Sequence, residues 1–146
     1  MRTLREIIGL PVLLEGQLTG YVLGADTDEA LTKVCGLWIS GVHTGTRRIE
    51  AEDIVSIGDR SVLVKSRGKR ASARSGMLFR RAVTTDGTRI GAVIDCDVSD
   101  SLDISALWLT CGYPDDLLRG RQRIERYAVR SSDGTVLIPS GREDEP

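Results

Sequence analysis

The stretch Leu-Trp-Ile-Ser at residues 37–40 returns as Leu-Trp-Leu-Thr at residues 107–110. Both stretches combine an aromatic residue with branched aliphatic residues, a composition typical of β-strands. The chain has 2 tryptophans, and one of them lies at the same place in each stretch. The two stretches therefore indicate that a structural unit occurs twice in the chain.

The residues around these strands repeat at nearly the same spacing. The recurring elements are the turn glycines Gly16 and Gly87, Arg-Ile-Glu at 48–50 and 123–125, and the apolar triplets at 62–64 and 136–138. Apart from one helical turn predicted at residues 4–8, both halves show short strands and glycine-rich turns. We predict an all-β fold of two tandem small β-barrels, each of about six short antiparallel strands, since closure removes exposed edges.

Changes in composition along the chain suggest the boundaries of the two units. We predict a first repeat over residues 1–65, a basic Gly/Ser linker over residues 66–76 and a second repeat over residues 77–139. Gly, Ser and charged residues without apolar periodicity are typical of a linker. Residues 140–146, Ser-Gly-Arg-Glu-Asp-Glu-Pro, are predicted to form a disordered acidic tail.

Composition is that of an ordinary globular protein. The chain of 146 residues is 40% hydrophobic and 28% charged, and its net charge of −1 provides no general attraction to nucleic acid or anionic membranes. Its 3 cysteines form no CxxC pair, which argues against disulfides and a tetrahedral zinc site. The apolar run at residues 7–14 is short and interrupted by Gly9 and Pro11, unlike a signal peptide. A cytoplasmic location without membrane insertion is expected.

Each half resembles a PRC-barrel, the small β-barrel of the reaction-centre H subunit and of the C-terminal domain of the ribosome maturation factor RimM. Stand-alone bacterial proteins of the YlmC/YmxH type are also similar. The matching residues in the first half are Arg-Glu-Ile-Ile-Gly-Leu-Pro-Val at 5–12, Glu15, Gly16, Gly20, the strand at 37–40, Arg-Ile-Glu-Ala-Glu-Asp-Ile at 48–54 and the strand at 61–64. The resemblance implies a cytoplasmic adaptor or assembly module without catalytic residues or a cofactor.

Catalytic and metal-binding arrangements find little support in the residues. His43 is the only histidine, so a histidine-dependent mechanism would need it, for example as a dyad with Cys35. We interpret His43 as a solvated loop residue. A redox or metal-dependent activity at the cysteines is a remote alternative.

The aspartates at positions 95, 97, 100 and 103 could attract a divalent cation, because such ions prefer oxygen ligands. Their spacing is not that of a calcium loop. Alternation along the strand predicts Ile90, Ala92, Ile94 and Cys96 on one face and Asp95 with Asp97 on the solvent face. We therefore interpret all four aspartates as surface and turn residues.

A basic segment lies between Asp59 and Asp86, where no acidic residue occurs. Its central residues are the nucleic-acid-binding candidates Lys65, Arg67, Lys69, Arg70 and Arg74. They form either a solvated linker or a segment that contacts phosphates, as would suit a ribosome-associated factor. Aromatic residues make up only 4% of the chain, so base stacking is not indicated and any RNA contact would be sensitive to salt.

Both tryptophans are candidates for protein interaction. Trp38 and Trp108 have the opposite strand parity to their aliphatic neighbours, so they point outward if those neighbours fill a narrow barrel. A large aromatic side chain on an outer wall needs cover. Packing between the barrels, a homodimer or an unidentified protein partner would supply it.

Overall fold

The structure is a computed structural model that describes residues 2–73, 76–87, 90–110 and 121–139, with Ile90 described by its backbone alone. The candidate Arg74, Cys111 and the predicted tail at 140–146 lie outside the described residues. The elements are β1 (Arg2–Thr3), α1 (Leu4–Ile7), β2 (Pro11–Leu14), β3 (Gln17–Thr27), β4 (Val34–Gly41), β5 (Gly45–Glu50), a 3-10 turn (Ala51–Asp53), β6 (Ile54–Ile57), β7 (Val62–Val64), β8 (Lys69–Arg70), β9 (Arg81–Thr84), β10 (Ile90–Val98), β11 (Ile104–Thr110), β12 (Gln122–Ile124), β13 (Ala128–Val129) and β14 (Val136–Ile138).

Helix α1 forms where the sequence predicts a helical turn. Thr3 and Glu6 make a capping box, in which the Thr3 backbone N–H donates to the Glu6 carboxylate at 2.9 Å and the Glu6 N–H donates to the Thr3 hydroxyl. Leu4 and Ile7 lie on its buried face. Gly9, with a φ of +93°, allows the chain to leave the helix and enter β2.

The strands form two curled, half-barrel sheets, which confirms the all-β prediction. The first sheet has the order β6-β7-β2-β3-β4-β5-β8, and the second has the order β13-β14-β9-β10-β11-β12 with β1 added beside β10. The first six strands of each order correspond one to one along the chain. The same arrangement of strands is therefore built twice.

The prediction of wholly antiparallel sheets is wrong at one pair in each half. The last apolar triplet of each half returns beside the first strand in parallel, with Val12 opposite Val62 and Ala82 opposite Val136. Parallel neighbours need a long connection between them. The intervening strands β3–β6 and β10–β13 supply that connection.

The two halves exchange their opening segments. Strand β1 pairs with β10 of the second half, and the backbone N–H of Arg5 donates to the Asp95 carboxylate at 3.0 Å. Gly76, just before the second half, lies against β3 of the first, since a Cβ on it would be 3.3 Å from the Ala25 carbonyl oxygen. One continuous hydrophobic core contains residues of both halves, among them Ile7 and Val93.

The aspartates of β10 are buried, contrary to the prediction for that strand. Register shifts between Val93 and Asp95 and between Asp97 and Val98 interrupt the simple alternation. The opening segment of the chain also covers this part of the strand. Asp95 and Asp97 are consequently only 9% and 8% exposed.

Residues 66–76, predicted as a linker, include the short strand β8. Lys69 and Arg70 pair with Arg48 and Arg47 of β5, so this part of the segment belongs to the first sheet. Gly68 permits the preceding turn, because its φ is +71° and a Cβ there would be 2.3 Å from the Arg48 carbonyl oxygen. Among the residues that the structure describes, no helix is long and apolar enough to cross a membrane.

Candidate interaction surfaces

Trp38 is covered by its own chain. Its side chain is 5% exposed, and the guanidinium of Arg48, its cross-strand partner on β5, lies 5.8 Å from the ring centroid. Arg48 is held in turn by Asp26 at 3.0 Å and by Glu50. A second copy or partner protein is not needed to keep Trp38 from water.

Trp108 lies at the corresponding place in the second half and is half-buried. Its indole N–H donates to Asp97 at 2.9 Å, and Arg123, its cross-strand partner, donates to the other Asp97 oxygen at 2.7 Å. Arg123 also donates to Glu125 at 2.6 Å. Each half thus contains the same group of one aspartate, one tryptophan, one arginine and one glutamate.

The Asp97 carboxylate is ionised in this setting. Burial by itself raises the pKa of Asp97, but hydrogen bonds from Trp108 and Arg123 and the positive charge of Arg123 outweigh it, so the pKa lies below its usual value. The sequence repeat contains Arg-x-Glu and tryptophan but gave no reason to connect them to Asp26 or Asp97. The equal placement of these aspartates before each tryptophan strand is the signal that would have found them.

The first sheet exposes an apolar surface that does not include Trp38. Tyr21, Leu23 and Leu63 are 46%, 45% and 39% exposed. Pro11 is opposite Tyr21 and Leu13 is opposite Leu63, and residues two apart on a strand share a face. These five residues, Pro11, Leu13, Tyr21, Leu23 and Leu63, are called the outer apolar face below.

The second sheet does not repeat the outer apolar face. Arg81 and Ala92 replace Pro11 and Tyr21, and Ile94, in the place of Leu23, is only 8% exposed. The alternation in β3 predicts Tyr21, Leu23 and Ala25 on one face. A register shift between Val22 and Gly24 turns Ala25 inward to 4% exposure and leaves the other two outside.

Most of the predicted nucleic-acid-binding residues gather at one edge of the first sheet. Arg67, Lys69 and Arg70 are exposed, and Arg70 lies opposite the half-buried Arg47. Arg47 donates from Nε to the Arg67 carbonyl at 2.9 Å and from Nη2 to the Gly68 carbonyl at 2.7 Å. The four cations Arg47, Arg67, Lys69 and Arg70 are called the basic corner. Lys65 is also exposed but lies just after β7, on another edge.

The four aspartates predicted as surface residues are all engaged in contacts within the chain. Asp95 accepts from the backbone of Arg5, as described, and of Cys96 at 2.9 Å. The exposed Asp100 accepts from Arg2 at 3.0 Å, and the exposed Asp103 accepts from Ser101 at 3.0 Å. Over the described ranges, no three His, Cys, Asp or Glu side chains are placed to hold a metal ion.

The cysteine and histidine candidates do not come together. Cys35 lies at the start of β4 and the exposed His43 lies beyond its end at Gly41. Eight residues of extended strand span about 26 Å at roughly 3.3 Å each, which rules out a dyad. Cys96 is fully buried, and burial with the nearby charges of Asp95 and Asp97 raises the pKa of its thiol to about 12.

The chain was compared with protein-family models and with curated proteins. No family model matches it. A search of curated proteins found no significant match. The function is therefore inferred from the chain's own residues and surfaces.

Proposed function

We propose that the chain is a tandem PRC-type barrel protein of the cytoplasm that acts as a non-catalytic protein-interaction or assembly module. The outer apolar face is the single observation that carries this proposal. Contiguous apolar surface is costly to leave in water, and where it occurs on a folded protein it marks an interaction site. The repeated strand order of the two sheets supports the tandem part of the proposal.

The two sheets differ in their exposed apolar side chains, and this difference indicates which sheet binds the partner. Ala92 and Ile94 occupy the positions in the second sheet that Tyr21 and Leu23 occupy in the first. Ile94 is buried, whereas Tyr21 and Leu23 are exposed to solvent. Tyrosine is favoured at interfaces because it adds apolar contact area and a hydroxyl that can bond to a partner. The first sheet is therefore the docking side, and the second supports it through the shared core.

The test is a pull-down with the tagged chain from its own cells. The double variant Tyr21→Ser/Leu23→Ser should lose the partners that the wild type retains, at an unchanged melting temperature. Ala128→Ser is the control, because Ala128 is an exposed apolar residue on β13 of the second sheet, outside the outer apolar face. Equal recovery of partners by the wild type and the double variant would sink the proposal.

A second candidate function is that of an RNA- or ribosome-associated maturation factor. The observation that favours it is the pairing of Arg47 with Arg70 on neighbouring strands, since like charges directly opposite one another repel. Phosphates would relieve that repulsion. Co-sedimentation with ribosomes at low salt, lost at high salt and in Arg67→Gln/Lys69→Gln, is the expected result for this function. Binding that does not respond to salt would rule it out.

A further inference from the structure

A small pocket with both aliphatic and polar lining opens beside the basic corner. It has a volume of about 130 Å³ and lies where β2 ends, β3 begins and the turn from β4 leads into β5. Leu14, Leu18, Ile39 and Val42 contribute its apolar lining, and Arg47 and Arg67 stand at its side. Leu18 and Val42 are 43% and 37% exposed, whereas Ile39 is 1% exposed and forms the floor. This cavity is called the end pocket.

The charges of the basic corner are not neutralised by any carboxylate of the described ranges. Within the part of the chain that the structure describes, none of Arg47, Arg67, Lys69 and Arg70 forms an ion pair with a carboxylate. The neighbouring Arg48, by contrast, is neutralised by Asp26 and Glu50. Arg47 also fixes the turn at Gly68 through two hydrogen bonds, so its own guanidinium is held in place before any ligand arrives.

We propose that the basic corner and the end pocket together bind an acidic protein segment that inserts one aliphatic side chain. The pocket is smaller than the roughly 300–1,000 Å³ of small-molecule sites, so it fits a single side chain better than a cofactor. Arginines bind carboxylates through paired hydrogen bonds, which supplies the complementary charge. An apolar anchor in a pocket with a polar rim is the usual arrangement of strong protein contacts.

The composition of the end pocket favours a peptide over RNA. Its described lining contains leucine, isoleucine and valine side chains together with threonine, glutamine and arginine, and no aromatic ring. Proteins that bind single-stranded nucleic acid stack bases on aromatic side chains. An aliphatic pocket next to cations instead suits a leucine or isoleucine flanked by aspartate and glutamate.

The second half provides an internal comparison. Ile39 pairs with Arg47 in the first sheet, and Leu109 pairs with Gln122 in the second, so Gln122 takes the place of Arg47. The second sheet therefore lacks the cation at the centre of the basic corner. This inference rests on the proposed interaction function, but its test changes Arg67 and Arg70 and leaves Tyr21 and Leu23 in place, so the two can fail separately.

The experiment is a titration of the ¹⁵N-labelled full chain followed by NMR. The probes are the peptide acetyl-Glu-Asp-Asp-Leu-Asp-Glu-amide, the same peptide with glycine in place of leucine, and a twelve-nucleotide oligouridine. We expect the leucine peptide to bind at least tenfold more tightly than either other probe. The amide signals of Leu18 and Val42 should shift, while those of Tyr21 and Leu23 should not.

Two double variants complete the test. Arg67→Gln/Arg70→Gln should weaken the binding of the leucine peptide at least tenfold. Arg121→Gln/Arg126→Gln makes the same charge change on exposed residues of the second half and should leave the affinity for this peptide unchanged. Equal affinity for the leucine and glycine peptides, tighter binding of oligouridine, or no binding of any probe would each overturn the inference. Loss of partners in Tyr21→Ser/Leu23→Ser does not bear on this titration.

Discussion

Lys33 and Asp103 form an antiparallel bridge that joins the two halves. The backbone N–H groups of Val34 and Ile104 donate across the same junction to carbonyls of the opposite half, each at 2.8 Å. Val34 and Ile104 are the first residues of the corresponding strands β4 and β11. The halves thus face each other about an approximate two-fold axis at this bridge, and paired backbone rather than a flexible linker holds them together.

Tyr127 makes the second polar link at this junction. Its hydroxyl donates to the Leu31 carbonyl at 2.6 Å, and Leu31 is fully buried. Tyr127→Phe leaves that carbonyl without its partner, which should lower the free energy of unfolding by about 1–2 kcal/mol in urea denaturation. Tyr21→Phe, at an exposed site, should change it by less than about 0.5 kcal/mol. Equal effects of the two variants would show that the link is not formed.

The same tyrosine predicts a loss of stability at alkaline pH. Burial, with the nearby negative charge of Asp28, raises the pKa of Tyr127 from 10.0 to about 12. The folded chain holds the Tyr127 hydroxyl proton more tightly than the unfolded chain. The contribution of Tyr127 to the free energy of unfolding is therefore complete below pH 10 and is lost as the pH rises toward 12. Unfolding free energies measured from pH 8 to pH 11 should fall more steeply for the wild type than for Tyr127→Phe.

Substitution of Asp97 should destabilise the fold more than substitution of Asp26, its counterpart in the first half. Asp97→Asn removes the charge that holds both Trp108 and Arg123, and hydrogen bonds to charged groups contribute about 1.5–3 kcal/mol each. We expect a loss of about 2–3 kcal/mol. Asp26→Asn is the matched control and should lose less, since the Asp26 side chain is 37% exposed and, among the described side chains, accepts from Arg48 alone. The reverse order of the two variants would contradict this account.

The acid side of the stability curve tests the same carboxylate. The pKa of Asp97 lies below its usual 3.8, so the folded chain releases this proton more readily than the unfolded chain. The resulting stability is present above about pH 4 and is lost as the pH falls through the folded pKa. Asp97→Asn should therefore unfold with a weaker pH dependence between pH 5 and pH 2. Parallel curves for the two proteins would be the contrary outcome.

The strands could be predicted from the sequence because their cues are local. The alternation around Leu37 and Leu107, the turn glycines and the capping box at Thr3 each act over a few residues. The repeat then placed the corresponding strands in both halves. Such cues do not reveal which half an opening segment packs against, since β1 is as compatible with the first sheet as with β10.

The candidate sites were less predictable because bulges and tertiary contacts decide them. Two register shifts in β10 and the cover of the opening segment bury Asp95 and Asp97, and a register shift in β3 leaves Tyr21 and Leu23 in solvent. A strand pattern assumes that the side chains alternate without interruption. The basic residues could be recognised from their charge, but their position beside the end pocket depends on how β5 and β8 pair.

Cys96 should resist chemical modification in the folded chain. It has no exposed surface, and with a pKa of about 12 almost none of it is thiolate at neutral pH. Iodoacetamide labelling followed by peptide mass spectrometry should modify the partly exposed Cys35 and leave Cys96 unmodified until urea unfolds the chain. Labelling of Cys96 in the native protein at a rate similar to that of Cys35 would contradict the packing of β10 and revive a cysteine-based activity.

Trp38 should behave as a core residue. Trp38→Ala removes a side chain that is 5% exposed and should cost about 3–5 kcal/mol, the range for aromatic truncations in protein cores. Trp108→Ala should cost less because that side chain is half-buried. Thermal unfolding and partner recovery measured on both variants separate the two roles. Stable folding with lost association for Trp38→Ala would make it a docking residue after all.

Phe79 has a left-handed backbone conformation, and the corresponding position in the first half is a glycine, Gly9. Its φ is +67°, that of Gly9 is +93°, and both donate a backbone hydrogen bond to corresponding residues of β10 and β3. The ring is 73% exposed and has the Arg5 guanidinium 5.8 Å from its centroid. Left-handed backbone costs a residue with a side chain roughly 1–2 kcal/mol. The fold alone therefore disfavours phenylalanine here.

Two glycine–alanine comparisons measure that cost. Phe79→Gly should be more stable than Phe79→Ala by about 1 kcal/mol, because both lose the ring and only glycine relieves the backbone. Gly9→Ala should be less stable than the wild type by a similar amount, since a Cβ there meets no atom within 4 Å and only the backbone conformation opposes it. If Phe79→Ala equals Phe79→Gly while Gly9→Ala is destabilised, the two turns are not equivalent. If the predicted order holds, the exposed ring is kept at a cost to folding.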